Sequence, residues 1–256
     1  VSHLWPETIT VGLFADQCWL RRGRALSLVS GHGQAAAPER LLASLGELLA
    51  GQPAAALKRA RLHVLVADSA AAIVALPWQE QLTGADEWGA YAQACFERQG
   101  QALDDGWTLQ TGFRHFRGAG LAYAMPQAWL GELLEVAGRA GPRLGSVLPV
   151  SAAAYWRHGG PRGPAPGVLL LAEAHRITGQ LWARGRLLGM DVQPLVGGVH
   201  AAGARLLRRM SATQHGIGSV HWWSSAVGEE GESPLAFVDE SLPEARLVRL
   251  AREVWS

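Results

Sequence analysis

Two acidic residues sit at matching places in two short turns. Asp16 lies in Phe14-Ala15-Asp16-Gln17-Cys18-Trp19, and Glu173 lies in Ala172-Glu173-Ala174-His175-Arg176. A carboxylate in such a turn is either a solvated turn former or the remnant of a site where it holds something. Other chemistry is sparse. The chain has nine histidines and two cysteines, but His215 and His221, or His158 and His175, are not spaced as metal ligands, and Cys18 and Cys95 form no ligand pair. Both thiols sit among apolar residues and read as buried and free. There is no nucleophile elbow and no phosphate-binding Walker loop. Gly216-Ile217-Gly218 is a lone Gly-x-Gly, and the pair Gly197-Gly198 reads as a strand-to-helix turn that needs unusual backbone angles. The sequence therefore predicts no catalytic residue and no metal site.

The elements that must position the two turns occur twice. Residues 8–15, 17–22 and 24–30 alternate as three strands with Arg24 following Gly23. Residues 167–172, 176–183 and 187–193 repeat the pattern around Arg184-Gly185-Arg186. A meander that recurs after about 160 residues predicts a duplicated domain. Between the copies, the spacing predicts a helix over 38–50, strands over 61–68 and 71–76, and a helix that opens near Thr83 with the stripe Trp88, Tyr91, Ala92, Cys95 and Phe96. A hairpin over 107–116 and 120–125, a helix over 127–138, a strand over 143–150 and a short helix over 151–158 follow. The stretch HGGPRGPAPG holds four glycines and three prolines, and residues 159–166 within it are expected to link the lobes. After the second meander we expect a helix over 199–212, a strand over 217–224, an acidic loop over 227–233 and a buried strand over 235–239. Residues 245–255 fit strand or helix equally. The expected units are 1–158, the linker 159–166, and a smaller second unit 167–256.

Bulk composition excludes some classes. At 256 residues with 48% hydrophobic content, the chain can bury one large or two modest cores. A formal net charge of +1 gives no global field for nucleic acid or acidic lipid. Lys58 is the only lysine beside 22 arginines, the bias of a GC-rich bacterial genome. No uncharged stretch reaches the roughly 20 residues of a spanning helix, and no signal peptide is visible, so a soluble cytoplasmic protein is expected. Tryptophan is frequent, at 11 residues. Adjacent strand residues point to opposite faces, so one of Trp222 and Trp223 is expected at a partner interface, unless both cover a thin second lobe.

Three antiparallel strands followed by helix and further strand resemble a ribonuclease-H-like unit. Two in tandem resemble the actin-like ATPase superfamily, which implies an α/β fold of two such lobes, the second small. The run from Arg61 to Glu97 and the segment RLGSVLPV (143–150) are similar to the first lobe of the PilM, MshI and GspL cytoplasmic-domain group of type IV pilus and type II secretion platform proteins. Val196-Gly197-Gly198-Val199-His200 resembles the glycine pair that opens the equivalent helix in Hsp70 and MreB.

The resemblance implies that nucleotide phosphates would lie between the two turns, approached by backbone N–H groups, with Asp16 and Glu173 in the acid places that position magnesium. The small residues such a cradle needs are missing: Gln17 and Cys18 follow Asp16, and His175 follows Glu173. The expectation is a degenerate ATPase with no cofactor, acting as a cytoplasmic adaptor in a pilus or secretion platform and reaching the inner membrane through a partner, such as a membrane-anchored partner's cytoplasmic peptide. A homodimer is a further possibility, and a nucleotide-binding ATPase with a nonstandard phosphate site is the alternative. A nuclease would need several carboxylates around two metals. Asp16, Asp68 and Glu47 are the available acids, and none lies mid-strand in the first strand.

Overall fold

Apolar runs bounded by turn residues build two sheets of the same topology. The computed structural model describes residues 7–30, 38–225 and 235–251. The expected lead-in, the loop after residue 30, the acidic loop over 227–233 and the end of the tail lie outside these residues or nearly so. In the first half, β1 (Glu7–Leu13), β2 (Gln17–Arg22) and β3 (Ala25–Ser30) form the antiparallel meander. Then come α1 (Pro38–Ala50), the short α2 (Ala54–Leu57) and β4 (Ala60–Val66), which lies parallel to β1. A single 3-10 turn (Asp68–Ala70) leads to β5 (Ala72–Leu76), α3 (Ala85–Arg98), β6 (Trp107–Gly112) and β7 (Gly120–Pro126). These strands make a separate antiparallel sheet in the order β5-β7-β6, with Cys95 and Phe96 of α3 buried on it. The chain returns through α4 (Gln127–Ala140) to β8 (Arg143–Pro149), parallel to β4. The first main sheet thus has the order β3-β2-β1-β4-β8.

After α5 (Val150–Ala153) and a π-helical turn (Ala154–His158), residues 159–166 carry no helix or strand. Gly160 is buried, and a Cβ there would run into the Trp182 ring, so this segment sits close against the second lobe. The second half repeats the first: β9 (Gly167–Ala172), β10 (Arg176–Ala183) and β11 (Arg186–Pro194) form a meander, followed by α6 (Gly198–Thr213) and β12 (Ser219–Ser224). The sequence expectation fails at residues 235–239. They belong to a helix, α7 (Leu235–Ser241), and the outer strand is β13 (Arg246–Arg249). The physical reason is topological. β12 and β13 are parallel, and a parallel pair needs a crossover, which is usually helical. Phe237 packs on α6 at Gly203, where a Cβ would collide with its ring. The sheet order is β11-β10-β9-β12-β13, the same as in the first half.

The cores explain how the halves join. The second lobe has its own cluster around Val168, Leu170, Leu206, Met210 and Phe237. The larger cluster is continuous across both lobes: Leu169, Leu171, Trp182, Leu187 and Trp223 join Phe14, Trp19, Leu65 and Tyr155. β9 is buried on both faces, so its alternate residues serve the two cores.

Two histidines sit where the linker enters the second lobe. The His158 and His221 rings lie 5.6 Å apart. Burial, helped by His158 and Arg246, lowers the His221 pKa from 6.5 to about 4. Between these values the unfolded chain binds more protons than the folded one, so stability falls as pH drops from 6.5 towards 4. The ring is only partly buried, and solvent screening discounts the loss to about 1–2 kcal/mol. Denaturant titrations of the parent and of His221→Phe across this range are expected to show that slope in the difference between the two, which should shrink as pH falls towards 4.

Candidate functional site

The β1–β2 and β9–β10 turns meet where the two lobes face each other. β1 ends in the buried Phe14, which places Asp16 at the head of β2. Asp16 accepts a hydrogen bond from Gln17 N at Oδ1 (3.1 Å) and one from Ser225 Oγ of the second lobe at Oδ2 (2.8 Å). Beside it, the Phe14 ring meets Trp223 with centroids 5.4 Å apart and planes tilted by 56°. Trp223 is 0% exposed.

A second cross-lobe connection lies alongside, built on a residue to which sequence reasoning gave no such role. Asp68 opens the 3-10 turn at the end of β4 and is 1% exposed. Its carboxylate accepts hydrogen bonds from Ser151 N (2.9 Å), from Ser151 Oγ, and from Thr178 Oγ1 of β10 (3.3 Å). Its backbone N–H donates to Glu173 Oε1 at 2.7 Å. Gln180 Nε2 donates to Ser151 O at 2.8 Å, adding another bond between the lobes. Glu173 is 6% exposed, and its Oε2 has no hydrogen-bond partner.

The electrostatics follow from this burial. Loss of water raises the Asp68 pKa, against the pull of the Ser151 donors. Glu173 is pushed well above the usual carboxylate range, first by burial and then by the Asp68 charge. Asp68 has three side-chain acceptor contacts and Glu173 one, so the retained proton belongs on Glu173.

The residues expected from sequence separate into those brought together and those left apart. Asp16 and Glu173 both lie at the seam, but Glu173 is buried rather than solvated. Gln17 begins β2, pairing through its backbone with Ser30. His175 is exposed, and its carbonyl accepts a bond from Leu195 N at 3.0 Å. Cys18 does not fill the space between the turns. Its thiol hydrogen-bonds Phe14 O at 3.6 Å and lies against Ser44 of α1. Gly197 and Gly198 take φ of +80° and +86°, left-handed values that open α6 without a side-chain cap. Trp222 and Trp223 do face opposite ways, but neither offers a surface. Trp222 is 9% exposed and packs on Phe237 at 5.8 Å, while Trp223 fills the inter-lobe core. The thin sheet between two cores uses both. Glu47 is exposed on α1 and takes no part in the site. Among the described residues, no group of three or more His, Cys, Asp or Glu side chains could hold a metal ion, and no helix is long and apolar enough to cross a membrane.

Two lobes of identical strand order, each presenting its first turn to the other, decide the architecture. Comparison with solved structures agrees. A Bacteroides thetaiotaomicron protein with an actin-like ATPase fold and unknown function superposes with a TM-score of 0.61 at 10% identity, over 95% of this chain and 91% of that one. The chain has the actin-like ATPase fold. Two other structures share this fold with it. A chain of a PilM–PilN type IV pilus biogenesis complex matches with a TM-score of 0.66 at 14% identity, over 97% of this chain and 89% of that one. The cytoplasmic domain of EpsL, an inner-membrane component of the type II secretion system of Vibrio cholerae, matches with a TM-score of 0.55 at 11% identity, over 94% and 96%. No protein-family model matches the sequence, and no curated protein does. Asp16 and Glu173 lie in the first turn of each lobe, and the lobes close directly on one another there.

Proposed function

We propose that this actin-like chain is a non-enzymatic cytoplasmic adaptor of a bacterial type IV pilus or type II secretion inner-membrane platform, binding partner proteins rather than turning over nucleotide. The observation that carries this reading is the seam itself. Phe14 against Trp223, Asp16 on Ser225 and Asp68 on Glu173 fill the ground between the two turns. A triphosphate there would have to displace a buried aromatic pair. It would also bring negative charge against two buried carboxyl groups, with no glycine-rich cradle to supply N–H donors. The fold shared with the PilM–PilN chain and with the EpsL cytoplasmic domain supports the choice of platform. Attachment to the membrane would come through a partner.

A second reading keeps nucleotide binding with a nonstandard phosphate site. It is favoured by the acids retained in both turns, Asp16 and Glu173. Calorimetric titration with Mg-ATP separates the two. The adaptor reading expects no binding tighter than about 100 µM, equivalent to roughly −5.5 kcal/mol. A tighter, saturable isotherm would overturn it in favour of the second reading.

A further inference from the structure

Helices α1 and α4 lie side by side on the first lobe and, with Gln52 and with Ala54 and Leu57 of α2, line a groove of about 720 Å³ that contains none of the seam residues. On α1 it is lined by residues 39, 42, 43, 46, 49 and 50, and on α4 by 132, 135, 136, 139 and 140. Both sets follow helical spacing, so each helix offers one continuous stripe. The lining is mostly apolar: the buried Leu42, Leu49 and Leu57 are joined by the smaller Ala43, Gly46, Ala50 and Ala140. The rim carries three carboxylates, Glu39, Glu132 and Glu135, against one cation, Arg139.

Gly46 is the glycine of the groove lining; Gly89, Gly131 and Gly138 are also open helix glycines but do not line the groove. Gly46 sits in the middle of a 13-residue helix, where glycine costs about 1 kcal/mol relative to alanine. No packing demand of this chain explains it, since a Cβ there would meet nothing within 4 Å. Its backbone is not left-handed, so no turn requires it either. The space above Gly46 lets another chain approach the helix axis closely.

We propose that this groove docks a basic amphipathic helix from a partner protein, its apolar side over Gly46 and its Lys or Arg side chains against Glu39, Glu132 and Glu135. A third helix fits a two-helix groove by the packing of side-chain ridges, and small residues allow close axial approach. Helices of 13 and 14 residues span about 20 Å, enough to seat roughly four turns. The acidic rim selects for positive charge and excludes acidic helices. The proposal rests on the adaptor reading for its partner being a protein. The Mg-ATP titration tests that reading separately, so a groove that fails to bind leaves it standing.

The probe is a fluorescein-labelled 14-residue helical peptide with leucine and alanine on one face and lysine and arginine on the other. Its counterpart has glutamate in place of the basic residues. Anisotropy titrations at about 0.15 M salt are expected to show saturable binding of the basic peptide only. Gly46→Leu fills the groove with a better helix former, so the variant should melt no lower than the parent while binding at least about 10-fold more weakly. Glu132→Lys with Glu135→Lys, both exposed positions, should weaken binding by about 10-fold or more and invert the preference towards the acidic peptide. Failure of the basic peptide to bind, equal binding of both peptides, or unchanged binding by folded Gly46→Leu would each overturn the proposal.

Discussion

Trp223→Ala is expected to lower the unfolding free energy by about 3–5 kcal/mol, the usual cost of truncating a large buried aromatic. For a chain of this length, that corresponds to a fall in Tm of roughly 6–20 °C. The reason is position. Trp223 is 0% exposed on β12 and belongs to the core shared by the lobes, with Leu169, Leu171 and Trp182 on its own side and Phe14 across the seam. A double-mutant cycle with Phe14→Ala isolates the inter-lobe part. The aromatic pair should show a coupling of about 0.5–1.5 kcal/mol. Trp222→Ala provides the contrast: it also destabilises, but Trp222 lies in the second-lobe core against Phe237 and should add independently to Phe14→Ala. Additive behaviour of Phe14 and Trp223 would mean that the aromatic pair does not couple the lobes, and the filled-site argument would rest on the polar contacts of Asp16, Asp68 and Gln180 alone.

The duplication was the most legible part of the sequence. A period-2 meander with a polar turn sets its own register over a few residues, so both meanders and their order can be read locally. The helix at residues 38–50 was legible too, because Leu41, Leu45, Leu48 and Leu49 share one stripe. Residues 235–239 were not. Five residues hold too little periodicity to separate strand from helix, and what decides between them is the parallel placement of β13, a contact that the local sequence does not encode.

The site was half legible. Asp16 and Glu173 could be found from their turns. Asp68 could not be placed, because its partners Ser151, Thr178 and Glu173 are 83 to 110 residues distant. A signal did exist: Asp68 follows directly on the apolar run of β4, an unusual place for an acid unless it is satisfied from elsewhere. The filling of the seam was anticipated with the wrong residues. Gln17, Cys18 and His175 were the nearest bulky neighbours of the two acids. Cys18 on β2 turns into the core and His175 stays exposed in the turn before β10, while Phe14 and Trp223, just after β1 and near the end of β12, take the space.

Glu173→Gln is expected to stabilise the protein at neutral and alkaline pH, by about 1–3 kcal/mol, the scale of an unsatisfied buried polar or charged group. Burial and the neighbouring Asp68 charge raise the Glu173 pKa well above its usual range in the folded chain, and in the unfolded chain it returns to an ordinary carboxylate value. Between those two values the folded state binds more protons than the unfolded state, so stability declines as pH rises through the window. Asp68 shifts in the same direction and adds to the slope. Glutamine keeps the carbonyl that accepts the Asp68 N–H and stands in for the protonated acid, leaving no carboxyl group to ionise on unfolding as pH rises. Denaturant titrations at pH 7, 7.5 and 8, above the range in which His221 titrates, should therefore show a falling stability for the parent and a flatter line for the variant, with the largest gap at pH 8. Asp68→Asn should behave differently, because it exchanges an acceptor of three hydrogen bonds for a group that can only partly replace it, and a net loss of stability is expected at every pH. A Glu173→Gln variant that is less stable than the parent at pH 8 would mean that the charged carboxylate is held by the seam as a favourable group. The turns would then have kept an electrostatic arrangement suited to a cation, which is what the nucleotide-binding alternative requires and the adaptor reading does not.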